Sequence, residues 1–264
     1  MLVRSICRFH LAAGAAALAC VASADPPDYA VVRSMPHDTA AYTQGLVYAE
    51  GRLYESTGRY GRSQVRLVDL LTGRAAQAVS LPDDRFGEGL ALLGGTLYQL
   101  TWTSGVAYTY DARTLAPRDS FTYAGEGWGL TTDGTSLIMS DGTATLRFLD
   151  PHTLALRREV TVRDQGSPLS QLNELEYARG ALFANVYRSD WIVRIDPTSG
   201  AVVDWIDLAG LLPPGDRTGS TEVLNGIAFD EATGHLLVTG KLWPTLFEIR
   251  LAGWPDGMQA TGGR

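Results

Sequence analysis

The chain has 264 residues, 45% hydrophobic and 9% aromatic, with 29 glycines, 12 prolines and 2 cysteines. That is enough apolar material for a packed core, which excludes a disordered or fibrous chain. Lys+Arg number 22 against Asp+Glu 29, a net charge of −7 without a basic run. Nucleic acid is thereby excluded as the main partner, because phosphate binding needs a clustered cationic face.

The N-terminus reads as an export signal. Arg4, Arg8 and His10 form a positive n-region, and Leu11 to Val21 is an Ala-rich apolar run shorter than the ~20 residues of a membrane span. Ala22-Ser23-Ala24 then offers a small-x-small cleavage site. Cleavage there leaves residues 25–264 as one domain, periplasmic or secreted, free of the membrane and by default a monomer. Lipidation at Cys20 is the lesser alternative, since Ala17 stands where a larger aliphatic residue is usual. Cys7 and Cys20 both precede the cleavage site, so the remainder has no disulfide, thiolate metal site or cysteine nucleophile.

Beyond the signal, short Val/Leu/Tyr/Phe/Thr-rich runs alternate with Gly, Asp and Pro, the pattern of many short antiparallel strands. The strand Tyr29–Arg33 comes first. One hairpin motif then returns five times at steps of roughly 40–50 residues. It opens at Thr43-Gln44-Gly45-Leu46, Gly87-Glu88-Gly89-Leu90, Gly127-Trp128-Gly129-Leu130, Leu172-Asn173-Glu174-Leu175 and Leu224-Asn225-Gly226-Ile227. A second hairpin follows in each unit, with Asp-x-x-Thr/Ser turns at Asp69, Asp111, Asp150 and Asp196 whose side chains can bond the turn backbone. Two hairpins per unit make a four-stranded blade, and repeated blades make an all-β propeller. The fifth unit has only three strands, so Tyr29–Arg33 is expected as its outer strand, closing a five-bladed ring and covering an edge.

Equivalent inner-strand positions in a ring face a common centre. Gln44, Glu88, Trp128, Asn173 and Asn225 precede the five anchors and are expected to converge; capping of strand ends is the competing reading. For Glu88 that reading is weaker, because an unpaired buried carboxylate is costly. The ends of the second strands add Trp102, Trp191, Lys241 and Trp243, which could form a water-excluding cage or ordinary blade packing. Lys241 is the only lysine in an arginine-rich chain, as if a compact donor were needed there. No histidine pair has metal-site spacing, no Gly-x-Ser-x-Gly elbow is present, and His37-Asp38 reads as a turn.

Pro36-His37-Asp38, Tyr42-Thr43-Gln44-Gly45-Leu46, Phe86-Gly87-Glu88-Gly89-Leu90, Gly125-Glu126-Gly127-Trp128-Gly129-Leu130, Leu172-Asn173-Glu174-Leu175-Glu176, Ala184-Asn185-Val186-Tyr187, Leu224-Asn225-Gly226-Ile227-Ala228 and Thr239-Gly240-Lys241-Leu242-Trp243-Pro244 stand in this order. Together they resemble the plant and bacterial type of glutaminyl-peptide cyclotransferase, a five-bladed propeller. The resemblance implies conversion of N-terminal glutamine of peptides or proteins to pyroglutamate with loss of ammonia, without metal or other cofactor. It implies Glu88 as general acid/base, Asn173 and Lys241 on the substrate amide, and Gln44 in contact with the substrate. Trp102, Trp128 and Trp191 would form the wall, with Tyr42, Phe86 and Asn225 completing the site. Tyr42 replaces the family's more usual Phe, and Tyr187 stands where Trp is common. The rival readings are a non-catalytic exported propeller that binds a ligand or partner, and a metal-dependent propeller hydrolase such as a lactonase.

Overall fold

Strands of three to eight residues joined by tight turns satisfy their backbone only by pairing with chain neighbours, which favours antiparallel hairpins. The computed structural model describes residues 29–255; the expected signal segment lies outside them. After β1 (Tyr29–Pro36), the first sheet holds β2 (Thr43–Ala49), β3 (Arg52–Thr57), β4 (Gln64–Val68) and β5 (Ala75–Ser80). The second holds β6 (Gly87–Leu93), β7 (Thr96–Thr101), β8 (Val106–Asp111) and β9 (Pro117–Thr122). The third holds β10 (Leu130–Thr132), β11 (Leu137–Met139), β12 (Thr145–Leu149) and β13 (Leu156–Thr161).

A two-residue hairpin the sequence did not announce, β14 (Arg163–Asp164) and β15 (Ser167–Pro168), leads to the fourth sheet. That sheet holds β16 (Leu172–Ala178), β17 (Ala181–Val186), β18 (Trp191–Ile195) and β19 (Val202–Asp207). A 3-10 turn at Pro214–Asp216 precedes the fifth, made of β20 (Leu224–Asp230), β21 (His235–Gly240) and β22 (Thr245–Leu251). Its outer strand is β1, paired antiparallel with β22 from Tyr29↔Leu251 to Pro36↔Thr245, three residues beyond the run expected from sequence. The five sheets form a five-bladed propeller. The Asp turns join third and fourth strands, and at the first Asp69 accepts from the backbone N–H of Leu71 (2.8 Å) and Thr72 (3.1 Å).

Burial falls from the axis outward. The heads of β2, β6, β16 and β20 are buried, whereas β5, β9 and β13 are almost wholly exposed. Among the described residues the buried apolar side chains fall into five clusters, one between each pair of adjacent blades. Leu46 and Leu53 pack on Ala228 and Leu237 where blade five meets blade one. The core is therefore itself a ring, and it is complete only when the last blade meets the first.

Inner strands can converge at the axis only where side chains are absent. A Cβ on Gly89 would stand 2.4 Å from Leu130 N, and one on Gly129 would stand 2.0 Å from Asn173 O. Three of the repeat's five anchors, Gly45, Gly89 and Gly129, thus allow each blade to press against the next. At the fourth anchor stands Glu174, fully buried, whose carboxylate accepts from Leu46 N of blade one (3.1 Å) and Ile227 N of blade five (2.8 Å).

Two stability predictions follow from this geometry. Gly129→Ala forces backbone apart and is expected to cost at least ~2 kcal/mol, read as a lower urea midpoint with unchanged slope. Glu174→Gln turns an amide N–H toward one of two backbone donors and is expected to cost about 1–3 kcal/mol in the same measurement.

Candidate active site

The inner strands do not run straight into their hairpins. In β2, Gln44 is the extra residue between the pairs Thr43↔Thr57 and Gly45↔Ser56. In β6, β16 and β20 the residue pairs Glu88/Gly89, Asn173/Glu174 and Asn225/Gly226 likewise oppose a single partner residue. A bulge of this kind re-aims a side chain that regular pleating would have sent into the sheet. Four of the five convergent residues thus come from the same distortion repeated around the ring.

Three of them, Gln44, Glu88 and Asn173, form the floor of a cavity of about 390 Å³ at one end of the propeller, and Asn225 lies beneath it. Gln44 Nε2 donates to Glu88 Oε1 at 2.8 Å, and Asn225 Nδ2 donates to Thr43 O at 2.9 Å and weakly to Gln44 Oε1 at 3.4 Å. Asn225 is wholly buried and does not line the cavity; it orients Gln44, which in turn orients Glu88. Asn173 lines the floor with its Oδ1 buried and without a partner. Lys241 projects from the end of β21 into the same space and is 4% exposed.

Electrostatics follow from burial. Glu88 is pushed well above the usual carboxylate range by loss of water, an effect the Lys241 charge only partly offsets and Glu126 reinforces. Burial pulls the Lys241 ammonium down, against the pull of Glu88 and Glu222. Neither Lys241–Glu88 nor Lys241–Glu222 closes to an ion pair, so the gap between ammonium and carboxyl can admit a small polar group.

Around the floor runs a belt of five aromatic rings. Tyr42 meets Phe86 edge-on at 6.1 Å, and Phe86 meets Trp102 at 5.8 Å. Trp102 and Trp128 both donate their indole N–H to Glu126 Oε2, at 2.8 and 2.9 Å. Trp128 meets Tyr187 edge-on at 5.5 Å, and Lys241 Nζ closes the circle 5.3 Å from the Tyr187 centroid and 4.9 Å from that of Tyr42. Such contacts add to area burial and hold a cation without neutralising it. The Tyr42 hydroxyl donates to Glu222 at 2.7 Å, a bond that a Phe here would lack.

Two tryptophans do not belong to this belt: the wall position expected for Trp191 is corrected, and of the two readings open for Trp243 the structure shows ordinary packing. Trp191 opens β18, beyond the four-residue turn Tyr187–Asp190, and packs on Trp205 at 5.7 Å. The residue equivalent to Trp102 is Tyr187, because Thr101 and Val186 end their strands in the same register. Trp243 is buried in the core between blades four and five, its N–H bound to Glu222 O at 2.9 Å. Sequence reasoning also missed Glu126 and Arg188 at the mouth. Glu126 was visible only as part of the Gly-Glu-Gly-Trp run, and nothing in the sequence singles out Arg188.

His37-Asp38 is a turn and more. Asp38 accepts from Ala40 N at 2.9 Å, but His37 is buried, with Nδ1 2.8 Å from Trp243 O and Nε2 3.1 Å from Glu55 Oε1. Arg66 holds the other oxygen of Glu55 at 2.7 Å and Asp38 at 2.8 Å. His37 N also donates to Pro244 O and Leu242 N to Ala41 O, at 2.8 and 2.7 Å, so the segment before blade one clamps the turn that carries Lys241.

Among the described residues no three His, Cys, Asp or Glu side chains gather as a metal-ligand set, and no helix is long and apolar enough to cross a membrane. A family model described as glutamine cyclotransferase matches residues 4–251. Glutaminyl-peptide cyclotransferase of Arabidopsis thaliana is 47% identical over 227 residues, covering 84% of this chain and 70% of its own. The crystal structure of Myxococcus xanthus glutaminyl cyclase matches with a TM-score of 0.80 at 39% identity, over 86% of this chain and 98% of that one. The motifs, the five-bladed ring and these likenesses agree: the chain belongs to the glutamine cyclotransferase family.

Proposed function

We propose that the chain converts the N-terminal glutamine of peptides or proteins to pyroglutamate, releasing ammonia, with side chains alone performing the chemistry. The observation that carries this reading is the meeting of one carboxyl, one amide and one ammonium, Glu88, Asn173 and Lys241, on a buried floor inside an aromatic belt. Family membership supports the overall reaction.

The α-amine of glutamine attacks its own side-chain amide carbon, forming the ring C–N bond. Glu88 takes the proton the amine loses and returns it to the amide nitrogen, whose bond to carbon then breaks, so ammonia leaves neutral and the enzyme is regenerated. A carboxyl lifted by burial suits both halves of that exchange, because its proton affinity lies nearer to that of the groups it serves. Lys241 and Asn173 stabilise the negative oxygen of the tetrahedral intermediate, in a site where exclusion of water strengthens each interaction. Gln44 keeps the Glu88 carboxyl turned to the substrate, and the rings of Phe86, Trp102 and Trp128 flank the substrate side chain. We read residues 1–24 as the signal that exports the remaining domain to the periplasm or beyond.

With a glutamine-initiated peptide, ammonia release is expected, and Glu88→Gln is expected to lower kcat by at least ~100-fold. Unchanged turnover in that variant would reject the role of Glu88, and loss of turnover after dialysis against a chelator would reject the metal-free reading. The pH profile has a determined sign. Glu88 must be ionised to accept a proton, so kcat/KM should rise through a pKa above the ordinary glutamate value. Lys241 must keep its proton, so kcat/KM should fall again below the ordinary lysine value. In Lys241→Arg the alkaline fall should move up by more than ~1 pH unit, since a guanidinium keeps its charge there; an unmoved fall would remove Lys241 from that role.

A further inference from the structure

Two rings of one cavity wall, Tyr42 and Tyr187, carry three cations, of which Lys241 and Arg188 line the cavity and Arg59 does not. Arg59 Cζ lies 4.5 Å from the Tyr42 centroid, Lys241 lies between Tyr42 and Tyr187, and Arg188 Cζ lies 5.3 Å from the Tyr187 centroid. Their charges are not equally balanced. Arg59 pairs with Glu222 at 3.3 Å, and Lys241 lies in the fields of Glu88 and Glu222. Arg188 has no carboxylate within ion-pair reach among the described residues. The mouth's own carboxylates are committed elsewhere, Glu222 to Arg59 and Tyr42, and Glu126 to the two indoles on the far wall.

Arg188 is exposed, yet it lines the cavity from a left-handed backbone (φ 63°) that L-residues avoid. That conformation is sterically disfavoured for an L-residue, and in it the residue after Tyr187 lines the opening. A peptide whose first residue rests on the floor must carry its second residue out through this mouth. Stacked on a ring, a guanidinium loses little freedom in gripping a planar carboxylate through two N–H donors.

We propose that Arg188 forms a carboxylate-binding subsite for the residue that follows the N-terminal glutamine. Its ligand is an Asp or Glu side chain at that position or, in a dipeptide, the C-terminal carboxylate. The subsite rests on the cyclisation reading above and adds a substrate preference to it. It also explains what the third cation of the wall is for: Lys241 faces the reacting amide, Arg59 is neutralised, and Arg188 alone is left to attract a negative group on the substrate.

The test uses the full chain and five peptides: Gln-Glu-Ala-amide, Gln-Gln-Ala-amide, Gln-Lys-Ala-amide, Gln-Gly and Gln-Gly-amide. At low salt, kcat/KM for the Glu peptide should exceed that for its Gln counterpart about fivefold, mainly through KM, as for a partly exposed ion pair. Lys at that position should be the poorest, and the spread should shrink in molar salt. In Arg188→Gln the Glu:Gln ratio should fall to about one, while Arg188→Lys should retain part of it. A ratio cancels any general loss of activity, so a merely structural role would leave it unmoved. Preference for Gln-Gly over its amide assigns the C-terminal carboxylate as ligand, and preference for Glu assigns the side chain; either supports the subsite. A wild-type Glu:Gln ratio of one together with no preference for Gln-Gly over its amide, or preferences unchanged in Arg188→Gln, overturns it and leaves the cyclisation reading standing. Failure of every peptide to release ammonia overturns both.

Discussion

The carboxylate of Glu174 joins three blades at the axis, and the rest of the molecule is arranged around that junction. A strand at the centre of a propeller has backbone donors on its axial side that no neighbouring strand of its own sheet can reach. Glu174 answers two of them, on Leu46 and Ile227, and Glu176 answers a third on Phe229 at 3.0 Å. Both carboxyls are raised by burial, Glu176 to about 8, so they are held there against the cost of leaving water. What offsets the cost is specificity of place: the bonds form only when blades four, five and one stand at one separation. Asn173, next in the chain to Glu174, is thereby located relative to Gln44 and Asn225, which lie on the same two strands as Glu174's donors.

The same convergence explains why the site can be both polar and dry. Four bulges at equivalent points turn Gln44, Glu88, Asn173 and Asn225 out of their sheets toward one end of the axis. Each is held by hydrogen bonds or close packing from a neighbouring blade, and the aromatic belt keeps bulk water from them. A carboxyl placed in such a setting rises in pKa without any special neighbour, simply because the charged form has lost its solvent. Fold and proton affinity are therefore one property of the ring.

Much of this was legible in the chain because repetition multiplies a weak signal. A single Gly-x-Gly means little, but an anchor recurring at a blade's length, glycine in four units of five and each time after a polar or bulky residue, implies one radial geometry. Trp191 shares a residue type with Trp102 but not its register: a four-residue turn separates it from the end of β17, and Tyr187 holds the equivalent station. Arg188 and Glu126 had no pattern to announce them, since residues at the mouth belong to loops that the repeat does not constrain. His37, Glu55 and Arg66 come from three separate stretches with no common spacing, so their buried network left no periodic trace.

That network ties ring closure to the buried ammonium of Lys241. His37 follows the closing strand β1 directly, and its two ring nitrogens face acceptors on opposite sides, Trp243 O and Glu55. Only the imidazolium can donate to both. Burial opposes that charge, but the Glu55 carboxylate outweighs burial and raises His37 above the usual histidine value. A raised folded value means the stabilisation is fully present below the ordinary histidine pKa and is lost as pH climbs through the folded one. Since Trp243 lies two residues from Lys241, whatever loosens His37 loosens the turn carrying the ammonium. The blade that completes the core and the buried ammonium of Lys241 are therefore held by the same few hydrogen bonds, which makes a closed propeller a condition of an assembled cavity floor.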